Sequence, residues 1–284
     1  AWLKTLGYTE EELGGLRVSD IIHPDSLDLW QEALSAVISG DAVNNIQIAL
    51  LAHNGAPVLV EGNLVPSRQN GRVIASHGFF RDVTERKHLE EQFRQAATLL
   101  EQLVAEFPQD LEYARLHALC CRMLGGVLPD DRLAGRRQWY EKALARLGPL
   151  AEKNPEVLDY QKDRAAVLLD LSELEATAGD LAQAIDALRR AEAIYAPLAA
   201  RFASDASLQR DYALTLRELA RHEMALQDEA AARRHVEQAL RIFDALVEAN
   251  PQNAELREHR EAARQIQQEL SQTPVSTADA SGRP

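Results

Sequence analysis

Sliding residues 158–202 forward by 48 positions lays them on 206–250 without a gap, and identities recur along the whole length. Gln161 meets Gln209, Asp163 meets Asp211, Ala165 meets Ala213, Leu168 meets Leu216 and Leu171 meets Leu219. Further on, Asp180 meets Asp228, Ala184 meets Ala232, Ala191 meets Ala239, and Leu198 meets Leu246. The same shift backwards pairs Ala118 with Ala166, Ala143 with Ala191 and Leu150 with Leu198. A chain that repeats itself on this scale folds as stacked copies, because one copy cannot bury its own apolar face. Three helical copies therefore span 111–250. "AELREHREAARQIQQEL" reads as a capping helix (251–270) and "SQTPVSTADASGRP" (271–284) as a disordered tail. The repeated polar positions Gln161/Gln209, Lys162/Arg210 and Asp163/Asp211 sit near the start of each copy's first helix. A contact shared between copies explains them better than a partner site does.

The first eighty residues follow different rules. "TEEELGG" and "HPDSLDLWQEALSAVISGD" carry helix starts and glycine stops, with Leu27, Trp30, Leu34 and Val37 at helical spacing. Three strand-like runs then alternate with turn signals: "VNNIQIALLA", "PVLVEGNLVPS" and "RVIASHGFFR". Asn54-Gly55 and Asn70-Gly71 suit tight hairpins, since both residue types accept positive φ. The expectation is an antiparallel meander beside helices, an α+β unit.

Between the two regions, "GFFRDVTERKHLEEQF" passes from strand to helix with no loop. Asp82 can cap the new helix, and Glu85 three residues on completes a capping-box pattern. Downstream, Leu89, Phe93, Ala96, Leu100, Leu103 and Phe107 step by alternating fours and threes, the seam of a short coiled coil. That seam serves either a second copy of the chain or the helices that follow.

"WLKTLGYTEEELGG", "IIHPDS", "HNGAPVLVEGNLVPS" and "RDVTERK" together resemble a PAS sensor domain of the S-box type, over residues 1–82. The resemblance implies two further strands before Ala1, so an upstream segment is expected and the third strand is expected to lack a neighbour. It also marks Arg81, Asp82, Thr84 and Glu85 as the signal-transfer junction. It implies room for an unidentified small ligand, with Trp30 as the candidate pocket wall. No named cofactor is expected, because the flavin-type cysteine and the haem-type helix histidine are both missing from their places. In the repeats, "AGDLAQAIDALRRAEAI" resembles the core of a tetratricopeptide repeat (TPR), whose usual period is about 34 residues. The 48-residue period departs from it and implies longer helices. The expected architecture is thus an α+β PAS-type domain joined by a helix (83–108) to an all-α TPR-like solenoid.

Chemistry is limited by what is absent from the sequence. A net charge of −13 argues against general phosphate binding. The longest apolar run, "IQIALLA", is far short of the roughly 20 residues of a membrane span. Cys120 and Cys121 are adjacent, which suits two reduced thiols and a cytoplasmic setting better than a disulfide. His23, His53 and His77 have no partners at metal-ligand spacing. His88 lacks a histidine-kinase context, and Gly125-Gly126 continues as "VLPDD" and not as a cyclase motif. The expectation is a non-catalytic cytoplasmic signalling protein, in which a PAS module is coupled to a protein-docking scaffold. Homodimerisation through the PAS unit and connector helix is left open. The alternative is a regulatory part of a larger sensor enzyme, a histidine kinase or cyclic-dinucleotide enzyme. A third reading is an assembly module that senses nothing.

Overall fold

The computed structural model describes residues 2–272. The chain forms two compact units, and the division falls between Gln92 and Phe93, inside a helix.

In the first unit, α1 (Trp2–Leu6) precedes a series of 3-10 turns, then α2 (Leu27–Ser39), β1 (Val43–Leu51), β2 (Pro57–Gln69) and β3 (Arg72–Asp82). The sheet is antiparallel in the order β1-β2-β3. Asn70 and Gly71 both take positive φ, 51° and 78°, as a two-residue hairpin turn requires. "TEEELGG" yields only a 3-10 turn at Glu12–Gly15, where the expectation was a helix. The Glu12 carboxylate accepts hydrogen bonds from Thr9 N and Oγ1 (2.8 and 3.0 Å), and the two glycines end the segment before an α-helix can nucleate. α1 was not anticipated. Ala33 and Val37 of α2 pack on Ile46, Ile48, Val60 and Leu64 from the sheet. Among the described residues no strand pairs with the outer edge of β3, where Ile74 and Phe79 are largely exposed.

The second unit is all helix: α4 (Leu111–Val127), α5 (Leu133–Lys153), α6 (Leu158–Thr177), α7 (Leu181–Arg201), α8 (Ala206–Ala225), α9 (Glu229–Ala249) and α10 (Ala254–Gln272). Each packs on the next in chain order. The second helices α5, α7 and α9 start and end on one 48-residue register. Helices of 20 and 21 residues (α6 and α7) account for the long period. Ala143, Ala191 and Ala239, one per repeat, are fully buried and let the backbones approach closely. Between them lie side chains such as Leu147, Leu216 and Phe243, also fully buried, each worth about 1.5–3 kcal/mol against exposure.

α10 holds the register of a first helix. Asn253 Oδ1 accepts from Leu256 N (3.1 Å) as Asp205 Oδ1 accepts from Leu208 N (3.0 Å) one repeat earlier. Among the described residues it is the last helix and stands as the first helix of a fourth repeat. Where α8 buries Leu216, Leu219 and Ala220, α10 carries Arg264, Gln267 and Gln268, so the outer face of this last described helix is polar. The cap reaches Gln272, two residues past its expected end. The rest of the expected tail lies outside the described residues.

The helix after the sheet, α3 (Thr84–Glu106), carries the seam from Leu89 to Leu103, and from Phe93 it also follows the repeat frame. Its Phe93, Ala96, Leu100 and Leu103 lie 47 residues before Tyr140, Ala143, Leu147 and Leu150, the buried face of α5. The same frame gives Leu188, Ala191, Tyr195 and Leu198 in α7, and Val236, Ala239, Phe243 and Leu246 in α9. The corner from α3 to α4 is also the repeat's own. Phe107 N bonds to Leu103 O and Asp110 N to Phe107 O, as Phe202 N bonds to Leu198 O and Asp205 N to Phe202 O. From Phe93 onward α3 is built as a repeat second helix, with Glu101 paired to Lys142 of α5 (3.3 Å). The alternating fours and threes are the spacing by which such a helix buries one face.

Candidate functional site at the sheet-to-helix junction

Gln47, Glu61 and Arg81 are direct neighbours across β1, β2 and β3. Such neighbours share a sheet face, so three long polar side chains converge. Arg81 Nη2 donates to Glu61 Oε1 (2.6 Å), and Gln47 Nε2 donates to Glu61 Oε2 (2.6 Å). Arg86, in the first turn of α3, donates to the same Oε2 from Nη2 (3.1 Å). One carboxylate, its side chain 7 % exposed, thus joins all three strands to the outgoing helix. Burial works against its charge, but hydrogen bonds from Arg81 and Gln47 and the fields of both guanidinium groups outweigh that. The Glu61 carboxyl is held below the usual carboxylate range. Arg86 Nη1 is buried with no hydrogen-bond partner among the described residues, so Arg86 depends on Glu61 for its compensation.

The backbone is fixed alongside. Val83 is buried and its N–H bonds to Leu59 O (2.8 Å). Thr84 Oγ1 accepts from Leu59 N (2.9 Å), and Asp82 Oδ1 accepts from Thr84 N (2.9 Å), starting the helix. Of the four junction residues read from the sequence, Arg81, Asp82 and Thr84 meet here. Glu85 is exposed, beside a surface hollow it shares with Arg86, His88 and Leu89. Glu61, Gln47 and Arg86 were missed.

Other sequence candidates are placed as follows. Trp30 is half-buried against the sheet core. His23 Nδ1 accepts from Asp25 N (3.3 Å), and His53 Nε2 lies 3.1 Å from Glu12 Oε1. His77 and His88 are exposed. Cys121 is buried, its thiol pushed up to about 11 by burial, and Cys120 is half-buried. Among the described residues no group of His, Cys, Asp and Glu is placed to hold a metal, and no helix is long and apolar enough to cross a membrane.

In the repeats, Gln161 donates to Ala151 O (2.8 Å) and Gln209 to Ala199 O (2.7 Å), so the repeated glutamine caps the end of the preceding second helix. Arg115 and Arg122 of α4 reach Asp163 (2.6 Å) and Asp170 (2.5 Å) of α6, each pair occupying one frame position in neighbouring repeats. Asp211 pairs instead with Arg210 (3.0 Å).

The antiparallel sheet, its helices and the capped exit after Asp82 coincide with one family match. Residues 1–85 match the PAS domain model. No curated protein matches the chain. Among solved structures, the chain is similar to the TPR-like repeats of a putative kinesin light chain from Podosopora anserina (19 % identity, 67 % of this chain and 97 % of that one, TM-score 0.33). It is similar to a TPR protein of Thermus thermophilus (20 %, 64 % and 98 %, TM-score 0.29). MamA is a third (15 %, 69 % and 100 %, TM-score 0.29). The repeat architecture itself stands on the 48-residue register and the helix packing. The PAS match over residues 1–85 precedes a stack of repeated helix pairs.

Proposed function

We propose that the chain is a non-catalytic signalling protein in which a state of the PAS sheet is passed through α3 to a protein-docking repeat stack. The observation that carries this is the double role of α3. Its first turn is tied to all three strands through Glu61, and from Phe93 its residues are those of a repeat core. A signal that favours one arrangement of the Glu61 cluster changes how α3 is held at its origin, and so biases the first repeat between states. The small ligand, the protein partner, the cytoplasmic setting and any homodimer belong to this proposal.

Hydrogen exchange tests it. Glu61→Gln releases Arg86 and Arg81 while keeping the side-chain shape. Faster exchange is expected in α3 and onward into α4. Loss of protection confined to residues 84–92 would show that nothing passes the midpoint of the helix.

A further inference from the structure

α3 supplies a second helix with no first helix before it, because β3 leads into it directly. In each later repeat the equivalent face is closed by the repeat's own first helix. Tyr140, Ala143 and Leu147 of α5 are 2 %, 0 % and 0 % exposed. Their counterparts Phe93, Ala96 and Leu100 are only half-buried. α4 is short of cover on the adjoining side. Met123 is 37 % exposed, where Leu171 and Leu219 in the same frame are 8 % and 0 %. Leu116 is 38 % exposed beside it.

We propose that this vacant first-helix position between α3 and α4 receives an amphipathic helix from a partner protein, of about the length of the chain's own first helices. The proposal rests on reading the repeats as a docking scaffold. The surface continues an interface the chain already makes three times, α4 on α5, α6 on α7 and α8 on α9, which specifies a helix and its direction. A first helix begins at the corner where the preceding second helix ends. That corner carries exposed Glu106, Asp110 and Glu112. They complement a helix N-terminus and basic residues in its first turn. The apolar positions then follow at three and four residues, against Ala96, Leu100 and Met123.

A fluorescent synthetic peptide of residues 206–225, the chain's own α8, whose first turn holds no acidic residue, is the probe, with the full chain as receptor. Saturable binding is expected, weakened at least tenfold by Leu100→Glu and by Met123→Glu, and unchanged by Leu226→Glu, an exposed leucine elsewhere in the stack. Circular dichroism of each variant confirms that the helices persist. Absence of saturable binding, or binding indifferent to both substitutions, overturns the proposal. Sedimentation of the chain alone supplies the other arm. A dimer that both substitutions dissociate assigns the position to a second copy and also overturns it. Failure of the Glu61 exchange experiment leaves the peptide result untouched, because the vacancy requires no coupling to the sheet.

Discussion

The two ends of the repeat stack are finished in opposite ways. At α10 the frame positions that bury Leu216, Leu219 and Ala220 in α8 hold Arg264, Gln267 and Gln268, and the helix meets solvent with polar atoms. At α3 and α4 the frame keeps its apolar residues, Phe93, Ala96, Leu100 and Met123, and leaves them partly uncovered, with Leu116 exposed beside them. A solenoid needs a polar terminus wherever it simply stops. Among the described residues the last helix, α10, is polar on that face, while the α3 end is apolar, the end proposed to take a partner helix.

The comparison breaks if equivalent positions respond alike. Phe243 and Leu100 occupy one frame position, the first fully buried and the second half-buried. Phe243→Ala should cost about 3–5 kcal/mol and Leu100→Ala about 1–2, read from urea unfolding, since truncation costs scale with the cover that is lost. Equal losses would mean that the α3 end is as closed as the interior. Converting the polar end to the apolar kind is the complementary test. Gln267→Leu with Gln268→Leu offers up to about 2–3 kcal/mol of burial per leucine to any partner surface. Concentration-dependent association beyond that of the parent chain should follow in sedimentation.

Glu61→Gln tests how the start of α3 is anchored to the sheet. The loss should be about 2–3 kcal/mol at neutral pH, because the substitution leaves the half-buried Arg86 without the Glu61 counter-charge. Because the folded carboxyl is depressed, its contribution is complete above the unfolded carboxylate value of about 4.3. It fades as pH falls through the lower folded value. Parent and variant should differ at pH 7 and converge as the pH falls through the depressed folded value. The smallest expected effect lies inside the stack. Gln227 sits at φ 63°, where the preceding repeat has Gly179 at φ 85°. Gln227→Gly should raise stability by about 0.5–1 kcal/mol and thermal unfolding by a few degrees.

Periodicity and turn chemistry made most of this fold legible. The 48-residue identities gave the helix pairs, and Asn54-Gly55 and Asn70-Gly71 gave the meander. The Glu61 cluster was hidden by one residue. Counting back from the Asn70-Gly71 turn sets Glu61 opposite Phe80. A bulge between Ser67 and Arg68 shifts the register, so that Arg81 lies opposite instead. Such a slip exchanges the two faces of a strand, and nothing in "LVPSRQNGRV" announces it. The kinship of α3 with α5, α7 and α9 was hidden differently. Its offset from α5 is 47, not 48, so its core residues fall out of step with a rigid shift. Arg115–Asp163 and Arg122–Asp170 stayed unseen because complementary residues in one frame position are not identities.

In the proposed mechanism α3 belongs mechanically to both the sheet junction and the first repeat. A double-mutant cycle of Glu61→Gln with Leu100→Ala, read as unfolding free energies, addresses it directly. Residues on different elements with no shared partner add within about 0.3–0.5 kcal/mol. A coupling energy of about 1 kcal/mol is expected if α3 carries the effect of one site to the other. Additive losses would contradict the claim and leave α3 a tether between two independent units.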